Sequence, residues 1–141
     1  MKRNIYPTDP KENLTGVVQD KDASDIEERG ARAVDKIPDW SYTFRIRISP
    51  LTGQLTEHFQ NIAGEYEIDL LCQRGKQMKP ILIDGEVSHF LASWQKVQDE
   101  QREAVINKAL KKYGADPVVR IEYWKMADQR IADITMREVL L

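Results

Sequence analysis

Two apolar runs that carry acids constrain this chain more than anything else in it. The first is Tyr66-Glu67-Ile68-Asp69-Leu70-Leu71. The second is Pro80-Ile81-Leu82-Ile83-Asp84-Gly85-Glu86-Val87-Ser88-His89-Phe90, and the polar turn Gln73-Arg74-Gly75-Lys76-Gln77 joins them. Runs rich in Ile and Leu, bounded by Gly and Pro, predict two largely buried strands. A carboxylate inside such a run is costly unless something compensates it. A hard metal ion is one compensation, because it takes oxygen ligands. The runs therefore pose one question: whether Asp69, Asp84, Glu86 and His89 converge.

The rest of the chain supplies a frame for those strands. Ser24-Asp25-Ile26-Glu27 matches a capping box, and Ile26, Gly30, Val34 and Ile37 follow at helical spacing, so a helix is expected over 24–36, stopped before Pro38. Tyr42 to Ser49 alternates, apolar at even positions and polar at odd ones. This predicts a strand with Arg45 and Arg47 on one face. Residues 54–63 read either as a short helix or as a loose connection. Ser93 to Tyr113 reads as a long helix closed by Gly114, with Asp99 and Arg102 at the leading end of one face. Pro117 to Tyr123 predicts a further strand, and 127–141 a last helix with Ile131, Ile134 and Leu141 inward. Helix, three strands, helix, strand, helix is an α/β order. Hairpin-length links imply antiparallel strands, and the helical crossover implies a parallel pair, giving a mixed sheet flanked by helices. Residues 1–21 are polar and aperiodic and read as an N-terminal arm whose surface is either its own domain or a protein partner, with one domain over 22–141.

The totals exclude several classes. A chain of 141 residues with 41% hydrophobic and 31% charged residues suits one globular domain. The net charge of −2 gives no overall basic signal for nucleic acid, though a local patch could still bind it. Cys72 is the lone cysteine, so no disulfide forms within the chain and no thiolate zinc site exists. No run reaches membrane-spanning length and no signal peptide is visible, which leads to the expectation of a cytoplasmic protein without a membrane partner. Glycine-rich phosphate loops are absent too.

The ordered set of motifs resembles the PD-(D/E)XK nuclease superfamily, with its restriction-endonuclease-like fold. It is most similar to the branch of the very-short-patch repair endonucleases. The residues that carry the resemblance are Glu67-Ile68-Asp69, Leu82-Ile83-Asp84-Gly85 and Ser88-His89-Phe90, then Asp99-x-x-Arg102, Leu110 with Tyr113-Gly114, and Val118-Val119-Arg120-Ile121. RNA-binding RAP domains share a similar Asp-Gly-x-x-His-Phe pattern. The resemblance covers about residues 24–124 and implies hydrolysis of DNA phosphodiesters, with RNA as a second candidate polymer, using Mg²⁺ or Mn²⁺. It implies Asp69 as central metal ligand, Asp84 or Glu86 as a second, and His89 as general base or phosphate contact. Glu27 approaches the site in this picture, while Asp99 and Arg102 orient neighbours or bind phosphate. The sequence departs from the superfamily at the second strand: Leu82 stands where relatives carry Glu, Asp84 replaces Lys, and Ile83 offers no hydroxyl.

Each of these residues has a plainer reading. Asp84-Gly85 is a favoured hairpin turn pair. His89 suits a hydrogen-bonded packing role, Glu27 a capping role, and Asp99 with Arg102 a helical ion pair. Arg45 and Arg47 form either a solvated strand face or, with Arg74, Lys76 and Lys79, a phosphate-binding patch. These readings lead to the alternative of an inactive nuclease-like domain serving as a binding or structural module in a larger assembly.

Overall fold

The computed structural model describes residues 10–57, 65–84 and 93–141, with side chains except those of residues 10 and 93–99. Its centre is a five-stranded mixed sheet in the order β4-β3-β5-β6-β7. The strands are β3 (Ser41–Ile48), β4 (Leu55–Thr56), β5 (Tyr66–Arg74), β6 (Gln77–Ile83) and β7 (Val119–Ile121). The first four pair antiparallel and β6 pairs parallel with β7. That is the mixed α/β arrangement expected from the hairpin links and the crossover. Leu55–Thr56 forms a short edge strand, which neither the short helix nor the loose connection read for 54–63 includes.

Three helices cover the sheet. Helix α1 (Asp25–Asp35) starts at the Ser24 cap with its reciprocal Glu27 bond. Helix α2 (Ser93–Leu110) is the crossover, closed by a 3₁₀ turn and Gly114 at φ 69°, a left-handed conformation that glycine adopts at no steric cost. Helix α3 (Gln129–Leu140) is capped by Asp128. Helices α1 and α3 share one apolar layer with Phe44, Leu70, Cys72, Ile81 and Ile83. Helix α2 contributes Ile106 and Leu110 to a second layer with Ile46, Ile48, Ile68, Leu71 and Leu82. Gly30 lets α1 lie close to the sheet: a Cβ there would stand 3.1 Å from Ile83 and 3.4 Å from Leu70. In α3 the inward face is Ala132, Thr135, Met136 and Leu140. Ile134 is 40% exposed and Leu141 75%, so the expected stripe is displaced by about one residue, onto the face that packs in the layer shared with α1.

The layers contain a correction to the simple alternation of β3. Phe44 and Ile46 are two residues apart, yet they enter opposite layers, and so do Ile68 and Leu70 on the neighbouring strand. The register is constant from Ser41↔Gln73 to Ile48↔Tyr66, but the rung between Arg45 and Asp69 is broken. Arg45 has φ 53°. One left-handed residue in a strand reverses which side the following side chains serve, and a side-chain period of two then carries the reversal along the strand.

Residues 10–22 are folded onto the domain. The hairpin of β1 (Val17–Val18) and β2 (Lys21–Asp22) turns on Gln19 and Asp20, both at positive φ, as a two-residue primed turn requires. The Gln19 side chain accepts from the Phe44 N–H (2.7 Å) and donates to the Tyr42 carbonyl (2.9 Å). It thereby covers a stretch of strand edge that β4 does not reach. Glu28, 2% exposed, accepts from the Thr15 N–H, the Gly16 N–H and the Thr15 hydroxyl at 2.8–3.0 Å and pairs with Arg32 at 2.9 Å. Arg29 pairs with Glu12 at 2.9 Å and donates to the Met126 carbonyl at 3.1 Å. Glu28 and Arg29 are buried under their contacts with the N-terminal strap, whereas Glu27 is buried at the capping box, within electrostatic reach of Arg45. Among the described residues no helix is long and apolar enough to cross a membrane.

Burial alone would raise the Glu28 pKa, but the donors from Thr15 and Gly16 and the Arg32 charge outweigh it and hold the carboxyl below the ordinary glutamate range. Stability from such a group is present above the unfolded-state pKa and is lost as pH falls through the folded-state value. Glu28→Gln is expected to destabilise the fold near neutral pH by about 1–3 kcal/mol. Its denaturation midpoint should also depend less on pH through the acid range than that of the wild type. Equal midpoints at neutral pH would show that the strap contributes nothing through Glu28.

Candidate functional site

The sequence candidates fall into two groups on either side of the β5–β6 hairpin's open end. Asp69 lies inside β5, 7% exposed, where the ladder between β5 and β6 ends at Leu70↔Ile81. One of its carboxylate oxygens accepts the Ile83 N–H at 2.7 Å. The side chain thus takes over a bond that a continuing ladder would have made, and this holds the two strands where they part. By the same register Leu82 stands opposite Asp69, in the apolar layer against α2.

Glu27 reaches the same neighbourhood from the first turn of α1. Its Oε1 accepts from the Ser24 N–H (2.9 Å) and hydroxyl (3.0 Å). The Arg45 guanidinium joins the acids. It donates to Glu67 Oε1 at 3.0 Å and to the Asp22 carbonyl at 3.0 Å. Partial burial alone would lower its pKa, but the Glu67 bond and the charges of Glu67, Glu27 and Asp69 raise it. Arg47 bonds the other Glu67 oxygen at 3.3 Å, and Arg102 of α2 donates to the Glu67 carbonyl at 2.7 Å. Arg45, Arg47 and Arg102 therefore meet at one residue, as the two strand arginines do without regular alternation. Holding arginine at positive φ costs of order 1–3 kcal/mol, which the surrounding charges offset.

Asp84 belongs to the second group. Its backbone N–H extends the parallel pairing to the Ile121 carbonyl at 2.9 Å. Its carboxylate receives Arg120 of β7 through two bonds, 2.7 and 3.4 Å. Arg120 also lies 3.1 Å from Glu103 of α2. Asp84 thus ties β6, β7 and the crossover helix together. Glu86 and His89 lie outside the described residues, as does the side chain of Asp99. Arg74 and Lys76 sit at the opposite end of the hairpin from Asp69. Five residues of extended chain separate Arg74 from Asp69, about 17 Å, and Arg74 bonds Gln77 and lies over the Trp40 ring. Lys79 donates to the Val139 carbonyl in α3. The expected single patch of Arg45, Arg47, Arg74, Lys76 and Lys79 is therefore not formed, because strand length separates its members.

Sequence reasoning passed over Glu67 and Glu103 as site members. Glu67 was legible in one respect: it precedes Asp69 by two and lies opposite Arg47. Glu103 gives no local signal, because its partner is far away in the chain. As donors for a divalent cation, Asp69 and Glu27 have the right hard-oxygen chemistry. Asp84 would first have to leave Arg120, and among the described residues no group of three or more His, Cys, Asp or Glu is arranged to hold a metal. The Cys72 thiol is pushed up to about 12 by burial, so it is protonated and no nucleophile.

The Asp69 geometry separates a structural from a chemical role. Asp69→Asn keeps an acceptor for the Ile83 N–H and is expected to leave the melting temperature close to wild type. Asp69→Leu orphans that N–H and should cost about 1–3 kcal/mol more. Thermal denaturation of the two variants checks this, and equal losses would mean that the Ile83 bond does not matter. Comparison with known protein families, with characterised proteins and with solved structures finds no match to this chain.

Proposed function

We propose that the chain is a restriction-endonuclease-like domain that hydrolyses DNA phosphodiesters at a site centred on Asp69. The observation that carries the proposal is the placement of that buried carboxylate. It sits where β5 and β6 part, lies with Glu27 of the first helix within electrostatic reach of the Arg45 guanidinium, and is bonded to the strand end from which the chain continues to Asp84, Glu86 and His89. The order of a helix, antiparallel strands β3 to β6, a crossover helix and a parallel strand supports it.

Asp69 and Glu27 would hold Mg²⁺ or Mn²⁺, which supplies an activated water and neutralises charge on the phosphate. The chain's own contributions are positional. The Ile83 N–H fixes the Asp69 carboxylate, the capping box fixes Glu27, and Arg102 fixes the β5 backbone two residues before Asp69. Rigid placement of this kind is what a site needs to keep reacting groups aligned.

A second reading has its own observation. Leu82 opposite Asp69 and the Asp84–Arg120 pair leave the second strand, among the described residues, without a carboxylate uncommitted to structure, which favours a nuclease-like domain that binds without cutting. Supercoiled plasmid and single-stranded DNA, incubated with Mg²⁺ or Mn²⁺, decide between them. The proposal expects nicking by the wild type and loss of at least a hundredfold in Asp69→Asn, on the order of one removed catalytic group. Wild-type silence, with both proteins melting alike, would overturn hydrolysis in favour of the binding module.

A further inference from the structure

We infer that Arg45 and Arg47, gathered on Glu67 and backed by Arg102, form a binding site for a backbone phosphate of nucleic acid beside Asp69. The inference deepens the reading above, and rests on it for the kind of ligand. Three observations lead to it. Arg45 is held at φ 53° within a strand, a sparsely populated backbone conformation of the kind that clusters at functional sites. The two guanidiniums do not share one oxygen of Glu67: Arg45 takes Oε1 and Arg47 takes Oε2. A phosphate presents oxygens to arginine in the same forked way, and more of them. Finally, the trio is reachable, with side-chain exposures of 27% for Arg45, 12% for Arg47 and 18% for Glu67. It carries two positive charges against one negative.

In this arrangement Glu67 has two roles. It keeps the guanidiniums aligned, and its carboxylate competes with a phosphate for them. Arg102 bonds the Glu67 carbonyl, so it positions the strand while its charge adds to the local field.

The test is binding of a duplex oligonucleotide in EDTA, across a range of salt, so that cleavage plays no part. Arg45→Gly relieves the left-handed strain, because glycine adopts positive φ freely, and it is expected to melt within a few degrees of wild type. It should bind about tenfold more weakly, and the salt slope should fall by about one. Arg45→Lys keeps a charge without the fork and should fall between the two. Glu67→Gln removes the competitor and should bind more tightly than wild type, an effect that a purely structural Glu67 would not produce. Unchanged binding and salt slope in Arg45→Gly, or a wild type that does not bind DNA, would overturn the inference. Binding that follows these variants in a protein that never nicks plasmid would uphold the phosphate site and overturn only the hydrolysis.

Discussion

The reversal of side-chain phase at the rung between Arg45 and Asp69 decides what every apolar residue of the two central strands packs against. Before it on β3, Phe44 serves the layer under α1 and α3; after it, Ile46 and Ile48 serve the layer under α2. Asp69 does the same for β5. A sheet covered on both faces tolerates such a switch, because either side offers an apolar destination. In a sheet with one wet face, the same switch would expose Ile46 and Ile48. The reversal also frees the polar partners: Arg47 and Glu67, which alternate with those isoleucines, come to lie on the side where α1 begins. The acids and arginines of the candidate site are neighbours because the sheet changes phase at that rung.

Buried charge is the second constraint, and it gives the N-terminal segment its place. Glu27, Glu28 and Arg29 follow one another on α1, and a helix turns consecutive residues to different sides. Segment 10–22 covers Glu28 and Arg29, while Glu27 turns to the capping box and the charge of Arg45. Removing charge from water costs several kcal/mol per ion unless hydrogen bonds replace the lost hydration. Glu28 accepts them from Thr15 and Gly16, and Arg29 donates them to Glu12 and the Met126 carbonyl. The strap and the helix are therefore mutually dependent, and the strap's hairpin brings Asp22 and Lys21 to the edge of β3, where Arg45 and Phe44 use their contacts.

Local signals made the elements legible. The capping box at Ser24, the Gly114 stop and the apolar runs around Asp69 and Asp84 each state their structure within a few residues. The phase reversal was not legible, because Tyr42 to Ser49 alternates without a flaw in the sequence, and nothing in an arginine announces a positive φ. The strap was hidden for a related reason. Its polar residues look like those of a solvated tail, and only the burial of Glu28 and Arg29 shows what they are for. Of the candidate site, Asp69 and Glu27 could be found as single residues, since a carboxylate in an apolar run and an acid in a first helical turn are local facts. Their common partner Arg45, and the tie from Asp84 through Arg120 to Glu103, are facts of strand order.

Charge counting then says how the proposed site would work. Among the described residues, Glu27, Glu67 and Asp69 stand against Arg45, Arg47 and Arg102, three acids against three bases, so this part of the site is neutral by itself despite its density of ions. A neutral site draws a polyanion weakly, which agrees with a chain whose net charge is −2. A divalent cation on Asp69 and Glu27 would change the balance by two units and turn Arg45 outward from those acids in electrostatic terms, toward an incoming phosphate. In the proposed reading, metal and nucleic acid therefore bind with positive coupling. The coupling follows from placing one guanidinium between the carboxylates that would take the ion and the carboxylate that competes with the phosphate.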